Sequence, residues 1–198
     1  MNTKLKIARA QLGAALSLFL RDQDPISVHA LACGGSEIIE GLANENEIPT
    51  LSSHILQTYP DIARPEVYRL KNQYWNAIKH FYARDNKSAR DDEELMAGFT
   101  DKKNDAVLFG GWLDYQLLTK RLPVEVQVFQ VWWYATNEQR MNPNSDPTPF
   151  RKVFPKIAEH DRNEQKRMLK RATEKYRTNK EILADPRTEQ GRLLIPRE

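Results

Sequence analysis

Cysteine is nearly missing from this chain of 198 residues, and its single example, Cys33, limits the classes of protein that fit. One thiol cannot close an internal disulfide, so a disulfide-stabilised secreted scaffold is excluded. A zinc site built on two cysteines is excluded as well. We predict no metal and no cofactor.

Long apolar runs are also lacking. The apolar stretch near the N-terminus is interrupted by Arg9, Gln11 and Ser17. No small-residue cleavage pattern precedes Arg21, so the sequence favours an amphipathic helix over a signal peptide. Nothing approaches the length of a membrane span. We therefore expect a soluble, cytoplasmic protein with no membrane partner.

Glycine is sparse, with 8 residues, and no glycine-rich phosphate loop is present. The two glycine pairs, Gly34-Gly35 and Gly110-Gly111, lack the downstream Lys-Ser/Thr of such a loop. Both pairs are predicted to lie inside helices. In the second helix, a glycine is explained if another backbone has to come close.

Hydrophobic residues make up 40% of the chain and charged residues 29%, which is sufficient for a folded core. The net charge of +3 is unevenly distributed, because residues 151–181 contain 11 basic and 5 acidic residues. This segment could contact the phosphates of a nucleic acid, or it could be the ordinary solvated face of a helix.

The apolar periodicity predicts an all-α bundle of five or six helices with a long, charged C-terminal helix. Asp24 is a good N-cap and Pro25 suits the first helical turn that follows it. Residues 124–134 alternate like a strand, but a single strand would have no partner, so a helix is favoured. The predicted helices cover about 3–22, 25–45, 65–85, 103–120, 124–134 and 159–184, with a possible short helix at 50–59. We expect a bundle over 1–140, a linker over 141–149 and a basic helical extension over 150–198.

The predicted helix over 65–85 carries two adjacent stripes. Its apolar face is expected to contain Leu70, Tyr74, Ala77, Ile78 and Phe81. Beside it lies a polar stripe roughly 60° wide on the helical wheel. The polar stripe contains Arg69, Gln73, Asn76, His80 and Arg84.

This stripe contains residue types that can handle a phosphodiester. His80 could act as a general base or acid near neutral pH, with Asn76 one turn earlier to orient its ring. Arg69, Lys79 and Arg84 could bind phosphate. The same residue types also occur on the solvated edge of many helices, so an inert surface is the alternative.

Three segments resemble a group of uncharacterised bacterial helical proteins that is in turn similar to the HEPN superfamily. The segments read DPISVHALA, WNAIKHFYARD and NDAVLFGGWLDYQLLT, and the resemblance covers about residues 5–135. HEPN proteins are α-helical bundles, and many are dimeric, metal-independent ribonucleases, while others only bind RNA or nucleotides. The resemblance implies a homodimer with His80 at the site.

The chain departs from the HEPN pattern at the arginine that precedes the histidine. The corresponding positions hold Gln73, Tyr74 and Trp75. Arg69 lies eleven residues before His80, roughly 16 Å along a helix axis. The resemblance therefore carries over His80 but not the arginine that would stabilise charge on the phosphate.

Two further groups have competing interpretations. One face of the second helix, opposite its apolar side, is expected to contain His29, Cys33, Ser36, Glu37 and Glu40. His29 and Cys33, with a glutamate beyond, could contribute to a zinc site, but a polar outer face is favoured. In a third interpretation, Glu37 or Glu40 faces the His80 stripe. The run Trp132-Trp133-Tyr134 could stack on bases, although aromatic runs in helices are more typical of a core or a dimer interface.

The sequence thus supports two functional hypotheses. The first is a HEPN-like bundle that binds RNA or nucleotides; whether it also cleaves RNA is left open, and cleavage would be metal-independent and would use His80 and Asn76. The second is a non-enzymatic interaction or structural protein, and the missing arginine favours it.

Overall fold

The computed structural model describes residues 2–83, 85, 87–142 and 144–194. In these ranges the fold is all-α, as predicted, but it contains ten α-helices because several connections form short helices of their own. They are α1 (Thr3–Leu20), α2 (Pro25–Glu45), α3 (Leu51–Thr58), α4 (Arg64–Lys79), α5 (Glu93–Ala97), α6 (Lys103–Thr119), α7 (Val124–Thr136), α8 (Thr148–Val153), α9 (Arg162–Tyr176) and α10 (Lys180–Ala184).

The start of α2 follows the local signals in the sequence. The Asp24 carboxylate accepts a hydrogen bond from the Ser27 backbone N–H at 2.7 Å, and Pro25 occupies the first helical turn. A carboxylate at this place satisfies a backbone donor that has no partner inside the helix. The predicted bounds of α2 are confirmed.

The centre of the core is a three-helix contact between α1, α2 and α6. A Cβ atom on Gly35 would lie 3.1 Å from the Ala8 carbonyl oxygen, so the expected close approach of a second backbone is confirmed. Leu12 fills the space between Gly35 of α2 and Gly111 of α6 and is fully buried. The glycines allow three helices to approach one leucine closely.

Helix α7 extends the core towards the C-terminal part of the chain. Its helical assignment is confirmed, and Trp132 is fully buried with its indole N–H donating to the Gln165 carbonyl at 3.0 Å. The Trp133 ring stacks on Phe109 at 3.8 Å between centroids. These aromatic rings therefore pack inside the protein, as the core interpretation predicts.

The long C-terminal helix predicted over 159–184 is wrong as a single element. Helix α9 ends at Tyr176, and a turn separates it from α10. The break occurs where Asn179 caps α10, its side chain accepting from the Ile182 N–H at 3.0 Å. Leu169 of α9 is buried in the core that contains Trp132.

The last described residues form a strap across α1 and α6. Arg9, itself buried, donates to the Glu189 carboxylate at 2.7 Å and to the Leu193 carbonyl at 2.8 Å. Tyr115 of α6 donates to the same carboxylate at 2.8 Å. A Cβ on Gly13 would lie 2.4 Å from the Leu193 oxygen, so glycine is needed where the strap crosses α1.

Candidate functional site

His80 does not lie inside a helix, so the prediction that the helix continues to residue 85 is wrong. Helix α4 ends at Lys79, and His80 has an extended backbone with φ −116° and ψ 121°. The chain then turns back through an antiparallel bridge between Tyr82 and Ala89, with Phe81 72% exposed. The backbone of residues 81 and 83 forms hydrogen bonds with residues 90 and 88 instead of continuing the helix. His80 is left exposed.

The other residues of the predicted phosphate site are also dispersed. Arg69 binds the exposed Glu66 carboxylate through two hydrogen bonds of 2.8 and 2.6 Å. The Lys79 ammonium lies 3.7 Å from the Glu37 carboxylate, and Arg84 lies outside the described residues. Asn76 is half-buried and lines a small cavity together with Glu37, Glu40 and Lys71. Within the described ranges, no hydrogen bond or ion pair joins these side chains to His80.

The apolar face predicted for this helix is only partly correct. Tyr74 is buried, as expected, and so is Val67. Leu70 is 51% exposed, because α4 covers a gap between α2 and α6 instead of packing into it. The buried polar side chains of this region, His29, Ser36 and Asp114, line this gap and not the His80 stripe.

Helix α4 is attached to α2 by polar contacts. The Lys71 ammonium donates to the Glu40 carboxylate at 2.7 Å, and the Tyr68 hydroxyl donates to the other oxygen at 3.2 Å. One turn further on, the Trp75 indole N–H donates to Glu37 at 3.1 Å. Glu37 and Glu40 do face α4, but their partners Lys71, Tyr68 and Trp75 lie outside the His80 stripe. The interpretation in which these acids face that stripe is therefore wrong.

Glu40 stays charged in this position. Burial raises its pKa, but the hydrogen bond and positive charge of Lys71 outweigh burial, so the pKa lies below its ordinary value. Because the pair is largely removed from water, losing one partner would leave a poorly solvated charge. We call the Lys71–Glu40 pair the α4 latch.

Beneath α4 lies a cavity of about 670 Å³, which we call the α4 cavity. A volume of this size is in the range of small-molecule sites, and its walls are mainly apolar, as such sites usually are. Its apolar lining residues include Leu51, Ile55, Ile62, Val67, Leu70 and Val107.

Two polar side chains of α2 line the α4 cavity without satisfying all their polar atoms. His29 is 3% exposed and Ser36 is 4% exposed. Neither His29 Nε2 nor Ser36 Oγ has a hydrogen-bond partner among the described residues. Buried polar atoms are normally paired, so each such atom calls for an explanation, and a ligand is one.

The prediction that His29, Cys33 and Glu40 belong to an outer face of α2 is wrong. All three are buried, on the side of α2 that faces α4 or α6. The signal was present in the sequence as a stripe at helical spacing, but its polar composition suggested solvent. Among the described residues, no three His, Cys, Asp or Glu side chains come together in an arrangement suited to a metal ion.

Asp114 contributes a carboxylate to the wall formed by α6. It is 3% exposed, and it accepts a hydrogen bond of 2.7 Å from the Leu51 N–H at the start of α3. Burial raises the pKa of Asp114 to about 6, although the Leu51 hydrogen bond and the charge of Lys71 act in the opposite direction. Perturbed carboxyl groups in clefts are typical of functional sites.

Cations surround part of the α4 cavity. Lys102, Lys103 and Arg140 line it and are exposed. No ion pair holds any of the three within the described part of the chain, and the Lys103 ammonium lies 5.3 Å from the centre of the Tyr74 ring. The opening therefore presents positive charge beside apolar walls.

The basic segment at 151–181 uses several of its cations inside the fold. Arg162 binds Asp101 at 2.8 Å and Asp105 at 2.7 Å, and it is largely buried. Arg177 binds Glu125 of α7 at 2.9 Å. These pairs attach α9 to the bundle and neutralise part of the charge that suggested phosphate contact.

No protein-family model, no curated protein and no solved structure matches this chain. In the described residues, no helix has both the length and the apolarity needed to cross a membrane.

Proposed function

We propose that this protein binds a small amphiphilic anion in the α4 cavity. The observation that carries the proposal is a cavity of about 670 Å³ with apolar walls and two buried, unpartnered polar side chains, His29 and Ser36. The apolar body of the ligand would displace water from Val67 and Val107. Its negative group would lie near the cations at the opening.

Charge favours an anion over a cation. Lys102, Lys103 and Arg140 have no ion-pair partner within the described ranges, and an anion would meet them at the edge of the protein. Asp114 lies deeper, on α6, where it would repel a negative group and orient the ligand with its anion outward.

For the α4 cavity, the RNA or nucleotide hypothesis becomes the narrower hypothesis that a mononucleotide binds there. A mononucleotide shares part of this chemistry, since it joins a base with flat, stacking faces to a phosphate. Ribonuclease activity through His80 remains a separate prediction. It is tested by incubating the protein with RNA in EDTA beside His80→Ala, where cleavage by the wild type alone would support it.

The proposed binding is tested with anilinonaphthalene sulfonate, a fluorescent amphiphilic anion. We expect saturable binding to the wild type and loss of binding in Ala106→Trp, because Ala106 is an exposed residue that lines the cavity. Ala10→Trp, at an exposed position of α1, is the matched control and should bind like the wild type. Equal binding by the two tryptophan variants would contradict the proposal.

Displacement of bound anilinonaphthalene sulfonate by other compounds ranks the classes of ligand. Nucleoside monophosphates and aryl carboxylates should compete with the probe, while an apolar molecule of equal size without charge should compete less well. Competition by the uncharged molecule alone would show that the cations at the opening do not contribute.

A homodimer is a second proposal, and it rests on exposed aromatic residues. Phe81 is 72% exposed and Tyr82 is 54% exposed, side by side in the turn after α4. Aromatic residues are enriched at protein interfaces. Light scattering should report a dimer for the wild type and a monomer for Phe81→Ser/Tyr82→Ser, and a monomeric wild type would contradict the proposal.

A further inference from the structure

The two nitrogens of the His29 ring have different environments. Nδ1 lies 2.9 Å from Asn104 Oδ1, while Nε2 has no partner among the described residues. The Asn104 amide nitrogen donates to the Pro25 carbonyl at 3.0 Å, which identifies its Oδ1 as the acceptor facing the ring. The hydrogen must therefore be on Nδ1.

The ring is held neutral. Burial lowers the pKa of His29, although the Asn104 hydrogen bond acts in the opposite direction. A neutral imidazole with its hydrogen on Nδ1 has a bare lone pair on Nε2. This atom can accept a hydrogen bond but cannot donate one.

The ring is also fixed in place. Its edge or face meets the rings of Phe99 at 5.3 Å and Tyr74 at 6.0 Å, both nearly perpendicular to it. Asn104, which anchors Nδ1, is fully buried. An acceptor held in this way, on a residue that lines the α4 cavity, is suited to select among ligands.

We infer that the ligand of the α4 cavity carries a hydroxyl or N–H group on its apolar body and donates it to His29 Nε2. This inference rests on the proposed function, since it names the chemistry of the ligand in the same cavity. His29 is then a specificity-determining residue. A purely hydrocarbon body would gain no hydrogen bond from Nε2, so the ligand that carries the donor is favoured over it.

The test compares para-hydroxyphenylpropionate with its O-methyl ether by displacement of anilinonaphthalene sulfonate. The two anions differ in the donor and have nearly the same apolar body. We expect the hydroxyl compound to bind wild-type protein roughly tenfold more tightly, the ratio given by one buried hydrogen bond. In His29→Phe the two affinities should become equal.

A second measurement does not depend on a variant that folds. Nitrogen NMR of the wild type should show Nδ1 protonated and Nε2 bare. The Nε2 resonance should move when the hydroxyl compound is added and stay in place when the ether is added. Identical shifts, or a hydrogen on Nε2 in the free protein, would overturn the inference.

The outcomes separate this inference from the proposed function. If the sulfonate probe binds in the cavity but the hydroxyl compound and its ether bind equally, or neither binds, the donor inference is overturned and the cavity proposal stands. If the probe itself does not bind, or binds Ala106→Trp unchanged, the cavity proposal fails and the inference fails with it.

Discussion

Helices α1 and α4 are similar in length but pack in opposite ways. Helix α1 buries seven of its 18 residues, including Leu12, against α2 and α6. Helix α4 buries two of its 16 residues, Val67 and Tyr74, and is attached largely by side-chain hydrogen bonds. The first helix closes a core, whereas the second covers a cavity.

The difference follows from where the apolar groups find partners. Glycines on α2 and α6 let Leu12 approach two neighbouring backbones, so little empty space remains. No such approach occurs under α4, where Leu70 stays half exposed and the latch replaces apolar contact. Regions with few buried apolar contacts open at lower free energy than the core.

Truncating one leucine on each helix measures how differently α1 and α4 contribute to stability. Leu12→Ala should lower the free energy of unfolding by about 2–5 kcal/mol, because it leaves a cavity in a closed core. Leu70→Ala should change it by less than about 0.5 kcal/mol, because the side chain is half exposed. Urea denaturation measures both, and equal losses would show that α4 is part of the core.

The pH dependence of stability reports on the buried carboxyl group in the wall of the α4 cavity. The folded state holds the pKa of Asp114 at about 6, above its ordinary value of 3.8, so it binds more protons than the unfolded state between these values. Stability should therefore fall as pH rises through this window. Relative to Asp114→Asn, the wild type should lose roughly 3 kcal/mol between about pH 4 and pH 7.

Asp61→Asn is the control for this experiment, because Asp61 is exposed. Its stability curve should parallel that of the wild type. An Asp114→Asn curve that also parallels the wild type would mean that the Asp114 carboxylate is well solvated in the folded protein.

Loss of the α4 latch should have a smaller effect, which the rate of chemical labelling of the Cys33 thiol can measure. Burial raises the pKa of the Cys33 thiol to about 12, and the residue lies beneath α4 beside Lys71. In Lys71→Met, α4 should open more easily, and Cys33 should react about tenfold faster with an aromatic disulfide reagent. Arg69→Met removes an exposed cation from the same helix and should leave the rate unchanged.

Equal labelling rates in the two methionine variants would show that the α4 latch does not hold the helix down. The thiol would then be reached by another route, and the distinction between the two helices would rest on burial alone.

Local signals were sufficient for the core helices. Asp24 and Pro25 fixed the start of α2, and Gly35 indicated a close helix contact. The end of α4 could not be predicted, because no glycine or proline marks it. The chain leaves the helix after Lys79 to pair residues 82 and 89, and such pairing depends on contacts beyond the local pattern.

The candidate site was missed for a related reason. Periodicity placed His29, Ser36 and Glu40 on one stripe, but it does not show which neighbour the stripe meets. The polar character of these residues predicted a face exposed to solvent, whereas in the structure they contact α4 and α6. A cavity is a property of how well distant helices fit together, and no single helix encodes it.

Hydrogen exchange measured by mass spectrometry, with and without saturating anilinonaphthalene sulfonate, shows whether a ligand binds beneath α4. We expect the amides of α4, at 64–79, to exchange faster than those of α2 in the free protein. The probe should slow exchange in α4 and in the facing part of α6 while leaving α9 unchanged. Protection confined to α9, or no change anywhere with the probe bound, would contradict a binding site beneath α4.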